Sequence, residues 1–249
     1  MFLPNNEQSY HFIIIGCGGT GGYLIEHLAR LLNAKAEAHA ISLVDGDRVE
    51  EKNLLRQSFY VDDLGLNKAE SLGNRIIKTY PHLTEENVLI APAYLKNEAE
   101  IHQLLDYVPN ALPVIIGAVD NNSTRRLIDS ALANYEKPVL WLDAGNNLRN
   151  GQVFTSSFNT ESLETSSDAI QNKDFPSHIQ DFPESFPEDG LHPSDISCAE
   201  HVESTPQAMI ANVFAGDLLF ALANKLLNGE ALTKREIKFD TASITLTEE

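Results

Sequence analysis

The chain is poor in cysteine and poor in positive charge. Only two of its 249 residues are cysteines, Cys17 and Cys198. No C-x-x-C pair exists, which excludes a structural zinc site built from four cysteines of this chain. Cys198 and His201 have ligand-like spacing, but two ligands do not make a metal site. Lys and Arg number 18 against 36 Asp and Glu, a formal net charge of -18. Nonspecific nucleic-acid binding rests on many cations against phosphates, so nucleic acid is not an expected partner. Residues 1–29 hold neither Lys nor Arg, and so lack the basic n-region of a secretory signal. No apolar run approaches the roughly 18 residues that a membrane span needs. The expectation is a cytoplasmic protein without a membrane partner. Hydrophobic residues make up 43%, ordinary for a globular chain and enough for one sizeable α/β domain.

What is present is glycine in one place. Residues 16 to 22 read Gly-Cys-Gly-Gly-Thr-Gly-Gly, directly behind the apolar run Phe12-Ile13-Ile14-Ile15. Gly16, Gly18 and Gly21 fit G-x-G-x-x-G, with Gly19 between them, and predict a turn from a buried strand into a helix that cradles phosphate. Alone, the motif suits a dinucleotide as well as ATP. Cys17, inside this turn, is read as a packing residue.

Strands are predicted over residues 11–15, 39–45, 88–91, 112–119 and 138–142. Helices are predicted over 21–33, 67–79, 97–106 and 122–134. This alternation is that of β-α-β units, giving a Rossmann-like, doubly wound and mainly parallel sheet. The pattern changes near residue 150. Gly151–Phe158 reads as an antiparallel strand, and Ile237–Leu246 as a final strand, together a C-terminal antiparallel extension. Thr205 as N-cap and Pro206 as first helical residue open a long apolar helix to about Leu227, nearly all buried and suited to a dimer interface, which Gly229 stops. The expected organisation is a nucleotide-binding core over 1–150, an acidic crossover-like loop over 151–204, and a helix with terminal strand over 205–249. Residues 158–203 carry eleven acidic residues and one Lys; this segment is either a docking surface for a basic or amphipathic partner or a solvated loop.

Strand ends then supply charge. Asp45 closes the second strand and can accept the ribose hydroxyls of a nucleotide on the glycine loop, or can simply form a turn. Arg56 and Lys68 follow; two cations near a phosphate loop suit a triphosphate that loses pyrophosphate, chemistry a dehydrogenase does not need. Asp120 ends the central strand, where a carboxylate can hold Mg²⁺ or cap the next helix; Asn121 and Arg125 stand close enough to assist.

Taken together, Gly16-x-Gly18-Gly19-x-Gly21, Asp45-x-Asp47, Asn53-x-x-Arg56-Gln57, Lys68 and Asp120-Asn121 resemble the ThiF/MoeB/ubiquitin-activating superfamily over roughly residues 11–145. Trp141-Leu142-Asp143-Ala144-Gly145-Asn146, Gly151-Gln152-Val153 and Ser197-Cys198-Ala199-Glu200 look like the ThiF-related branch of the bacterial PRTRC cassette. The resemblance implies a homodimer that binds ATP and Mg²⁺ and adenylates the C-terminal carboxylate of a small ubiquitin-like or sulfur-carrier protein. By that pattern Asp45 holds the ribose, Arg56 and Lys68 contact phosphates, Asp120 holds Mg²⁺, and Asn53 and Gln57 order the site, with Asp47 and Asn121 beside them. The chain departs from better-known members in lacking the zinc cysteines and the N-terminal arginine that many homodimers lend to the partner's site. Cys198 is the candidate thiol for a following thioester, with His201 as base and the acids Asp195, Glu200 and Glu203 opposing its ionisation. A nucleotide-binding adaptor without adenylation is the alternative, and an NAD oxidoreductase a third.

Overall fold

The run that precedes the glycines becomes the middle of a sheet. In the computed structural model, which describes residues 1–5, 7–35, 39–167, 169–187 and 208–248, strand β1 spans Tyr10–Ile15 and all six residues are buried. Phe12 and Ile14 pack into one core while Ile13 and Ile15 pack into the other. A strand covered on both faces reads as continuous apolar sequence, and each such side chain contributes about 1.5–3 kcal/mol on burial. Chain order continues with α1 (Gly19–Lys35), β2 (Ala40–Val44), α2 (Lys68–Thr79), β3 (Val88–Ala91), α3 (Glu98–Leu105), β4 (Leu112–Gly117), α4 (Asn122–Ala133) and β5 (Val139–Asn146). Then come β6 (Asn150–Phe158), a short α5 (His178–Asp181), α6 (Met209–Leu227), β7 (Glu236–Asp240) and β8 (Thr245–Glu248).

The eight strands form one sheet in the order β3-β2-β1-β4-β5-β6-β7-β8. The first five in that order run parallel, and β6, β7 and β8 add antiparallel. The sheet is therefore the Rossmann-like, mainly parallel one expected. Chain order reverses between β1 and β4, which opens a crevice beyond their carboxyl ends. Residues of α1, α2 and α6 build the core on one face; those of α3, α4 and the segment around Ile179 and Phe186 build the other.

Four expectations change at the C-terminal side. The single strand over Ile237–Leu246 is instead the hairpin β7–β8. Asp240 Oδ1 accepts the N–H groups of Ala242 and Ser243 at 2.7 and 2.9 Å, and Ile244 adopts a φ of 55°, so the chain turns where the apolar alternation continues. Helix α6 begins at Met209 behind an extended Ala208 that supplies no side-chain cap; Thr205 and Pro206 lie outside the described residues. It is also less buried than expected: Met209 and Ile210 are exposed. At 19 residues and a mean hydropathy of 1.4 it is long and apolar enough to cross a membrane, contrary to the reading that no run approaches that length. Here it packs against α1, β5 and β6. Gly229, at a φ of 69°, takes the left-handed position just past its end, as expected.

The chain's first residues are tied into its own fold. Phe2 and Leu232 exchange backbone hydrogen bonds of 2.9 and 2.8 Å, and the Leu3 N–H donates to Asn172 Oδ1 at 2.7 Å.

Candidate active site

The turn between β1 and α1 needs glycine at its first position. Gly16 has a φ of 97°, and a Cβ there would lie 2.6 Å from the Ala118 carbonyl oxygen. The close approach draws the ends of β1 and β4 together, and the N-terminus of α1 then faces the crevice. Gly16, Gly18, Gly19, Thr20, Asp45, Asp47, Arg56, Gln57, Lys68, Asp120 and Asn121 all line one cavity there, so most of the residues singled out in sequence meet in space. Two stand behind it. Gly21 packs on the Gly16 carbonyl. Asn53 is buried; its carbonyl accepts the N–H groups of Arg56 and Gln57 at 3.1 and 2.9 Å and so shapes the loop that carries them.

Asp45 accepts the N–H of Cys17 at 2.7 Å and that of Asp47 at 2.8 Å. It is therefore both a turn aspartate and a carboxylate at the cavity wall. Burial, with help from Asp47 and against Lys68, pushes its carboxyl up to about 6. Lys68 Nζ lies 2.7 Å from Asp47 Oδ2. Burial alone would lower the Lys68 pKa, but Asp45 and Asp47 outweigh it and hold the ammonium above its ordinary value. Asn67 places both groups: it caps α2 through Oδ1, and its Nδ2 donates to the carbonyls of Asp45 and Asp47 at 2.8 and 3.0 Å.

Asp120 is exposed at the cavity, and its carboxylate makes no hydrogen bond or ion pair among the described residues. The helix cap is Asn121 instead, whose Oδ1 accepts the Thr124 N–H at 2.8 Å. Arg56 likewise makes no ion pair among the described residues. Arg125 does not face this cavity's cations and carboxylates; it turns into Asp143 beneath. No group of three or more His, Cys, Asp or Glu among the described residues could hold a metal alone. A cation here would take Asp120 as protein ligand and phosphate oxygens and water for the rest, the way Mg²⁺ is commonly held, and the residues present fit that arrangement.

Residues not anticipated in sequence complete the site. The Tyr94 ring packs on Gly46, its hydroxyl donates to Asp47, and it lines the cavity. Thr20 Oγ1 donates to Asn146 Oδ1 at 3.2 Å, and Asn146 Nδ2 donates to Asn212 Oδ1 on α6 at 3.0 Å. A second cavity of about 600 Å³ shares Val119, Asp120 and Asn146 with the first. Its other walls include four amides (Asn122, Asn147, Asn150, Gln152), the two cations Arg125 and Lys238, and Phe239. Cys17 is fully buried and its thiol is pushed up by burial and by Asp45, as suits packing rather than attack. Cys198 and His201 lie outside the described residues.

A glycine turn at the switch point, with carboxylates and cations around one cavity beyond the strand ends, places the chain in the Rossmann-like α/β class. The chain belongs to the ThiF family, whose model matches residues 6–248. It is 30% identical over 132 residues to the probable adenylyltransferase/sulfurtransferase MoeZ of Mycobacterium tuberculosis, covering 52% of this chain and 30% of that protein. It is 29% identical over 151 residues to the adenylyltransferase and sulfurtransferase MOCS3 of Drosophila grimshawi, covering 60% and 30%. The chain thus spans under a third of the length of these relatives. Among solved structures, E. coli MccB with ATP superposes with a TM-score of 0.62 at 18% identity, over 98% of this chain and 64% of that one. This likeness is one of fold.

Proposed function

We propose that the protein binds ATP with Mg²⁺ and adenylates the C-terminal carboxylate of a small ubiquitin-like or sulfur-carrier protein. The observation that carries this reading is the meeting of Arg56, Lys68 and Asp120 around the glycine loop in one cavity. A binder of uncleaved dinucleotide has no use for that set. Asp45 accepts the ribose hydroxyls. Arg56 and Lys68 hold the phosphates, and Gln57 and Asn53 keep the Arg56 loop in place. Asp120 would hold Mg²⁺, which would supply positive charge to offset that of the phosphates. The carrier tail enters by the amide-walled second cavity, which meets the first at Asp120. Its carboxylate oxygen then bonds the α-phosphorus, and the bond to the bridging oxygen breaks. The electron pair leaves with pyrophosphate, and the site's contribution is alignment and charge stabilisation.

The exposed apolar residues Met209 and Ile210 on α6, and Leu55, Tyr60 and Val61 beside Arg56, support association with a second copy. Transfer from the adenylate to a thiol would fall to Cys198. The test is exchange of labelled pyrophosphate into ATP with candidate carriers. Exchange that appears with one carrier, and is lost in Asp120→Ala, is the expected result. ATP binding without exchange across the carriers would favour the adaptor reading.

A further inference from the structure

Arg125 is a buried cation at the wall of the second cavity, and the proposed chemistry gives it no role of its own. It is 5% exposed and Asp143 is fully buried. Its Nε donates to Asp143 Oδ2 at 2.8 Å. One terminal nitrogen, Nη2, donates to the carbonyls of Val119 at 2.6 Å and Ala144 at 2.9 Å. The other, Nη1, donates to Asn122 Oδ1 at 3.0 Å. The two carbonyls belong to different strand ends. Val119 directly precedes Asp120, and Ala144 lies two residues before Asn146, so both lead into the shared wall of the two cavities.

An isolated buried ion pair is a weak source of stability, because removing two charges from water offsets most of their attraction. The planar guanidinium has a geometric capacity that stability alone does not call for: its fork fixes several acceptors relative to one another, which a lysine ammonium cannot do. Asp143 holds the fork from below, and the fork holds the Val119 carbonyl just before Asp120 and the Asn122 side chain two residues after it. Among the described residues the Asp120 carboxylate makes no hydrogen bond or ion pair, so the backbone that carries it is what Arg125 can set.

We propose that Arg125, oriented by Asp143, is a positioning residue that sets the Asp120 carboxylate for its metal–phosphate contact. The inference rests on the reading of Asp120 as the Mg²⁺ ligand. It is tested on the full chain by measuring the Kd of ATP in EDTA and in MgCl₂, for wild type, Asp120→Asn, Arg125→Lys and Asp143→Asn, with melting temperature confirming the fold. Wild type binds more tightly with MgCl₂, and Asp120→Asn loses that gain. Arg125→Lys keeps the charge beside Asp143 but not the fork. It should bind ATP in EDTA like wild type and lose about tenfold or more of the Mg²⁺-dependent gain, the scale on which groups that orient a metal ligand affect metal affinity. Asp143→Asn, still able to accept from Nε, should lose part of the gain, and it serves as the variant should Arg125→Lys not fold.

A purely structural role would, in a variant that still folds, weaken both Kd values alike, and would overturn the inference. Loss of the gain in Asp120→Asn but not in Arg125→Lys or Asp143→Asn overturns the positioning role and leaves the site reading standing. Absence of any gain in wild type overturns both.

Discussion

Burial pushes the Asp45 carboxyl up to about 6, although both its oxygens accept backbone N–H groups. The neutral acid accepts hydrogen bonds less well than the carboxylate, and a ribose hydroxyl needs an acceptor. ATP affinity should therefore be constant above this value and fall by up to about tenfold per pH unit below it, since each proton bound must be released. Calorimetric titration from pH 5 to 8 checks this. Asp45→Asn should bind ATP weakly and with a flat profile; a wild-type affinity that does not change between pH 5 and 7 would refute the ribose role. Asp45 was legible in sequence because a carboxylate at the second strand's end has a known partner in the glycine loop. Tyr94 was not, because its hydroxyl meets Asp47 from a loop 47 residues away. Nor was the Arg125–Asp143 pair, which joins a helix to a neighbouring strand and leaves no local spacing to read.

At the scale of elements, α6 reaches the glycine turn through the Asn212 amide. A Cβ on Gly19 would lie 2.2 Å from Asn212 Nδ2, and Asn212 is only 1% exposed and bonded to Asn146. Gly19→Ala should therefore cost about 1–3 kcal/mol by overpacking. Asn212→Ala should recover much of that loss, a coupling of about 0.5–3 kcal/mol in a double-mutant cycle followed by denaturant unfolding. Additive losses would mean that α6 and the turn are not in contact. The parallel strands and their helices were readable because both faces are covered and the period changes cleanly from strand to helix. The β7–β8 hairpin was hidden: Ile237, Phe239, Ile244 and Leu246 keep an apolar rhythm across a turn that Asp240 makes with its own side chain.

For the whole molecule, the sheet order places three strand ends around one crevice: β1 with its glycine turn, β2 with Asp45, and β4 followed by Asp120. The antiparallel strands and α6 then bring Asn146, Asn212 and the amide-walled cavity to the same edge. The sequence marked the nucleotide side, whose residues come in order along the first half of the chain. It did not mark the second cavity, whose walls come from α4, β6, β7 and the loops between, far apart in sequence.

The central claim is that this crevice is an ATP·Mg²⁺ site. It is tested most directly by thermal unfolding with ATP and MgCl₂, and separately with NAD, for wild type and Asp120→Ala. Ligand at a hundred times Kd adds about 2.7 kcal/mol, which for a chain of this size raises the melting temperature by roughly 5–10 °C. The account predicts that rise with ATP and MgCl₂ in wild type, its loss in Asp120→Ala, and no comparable rise with NAD. A rise with NAD alone, or none with ATP and MgCl₂, would contradict it.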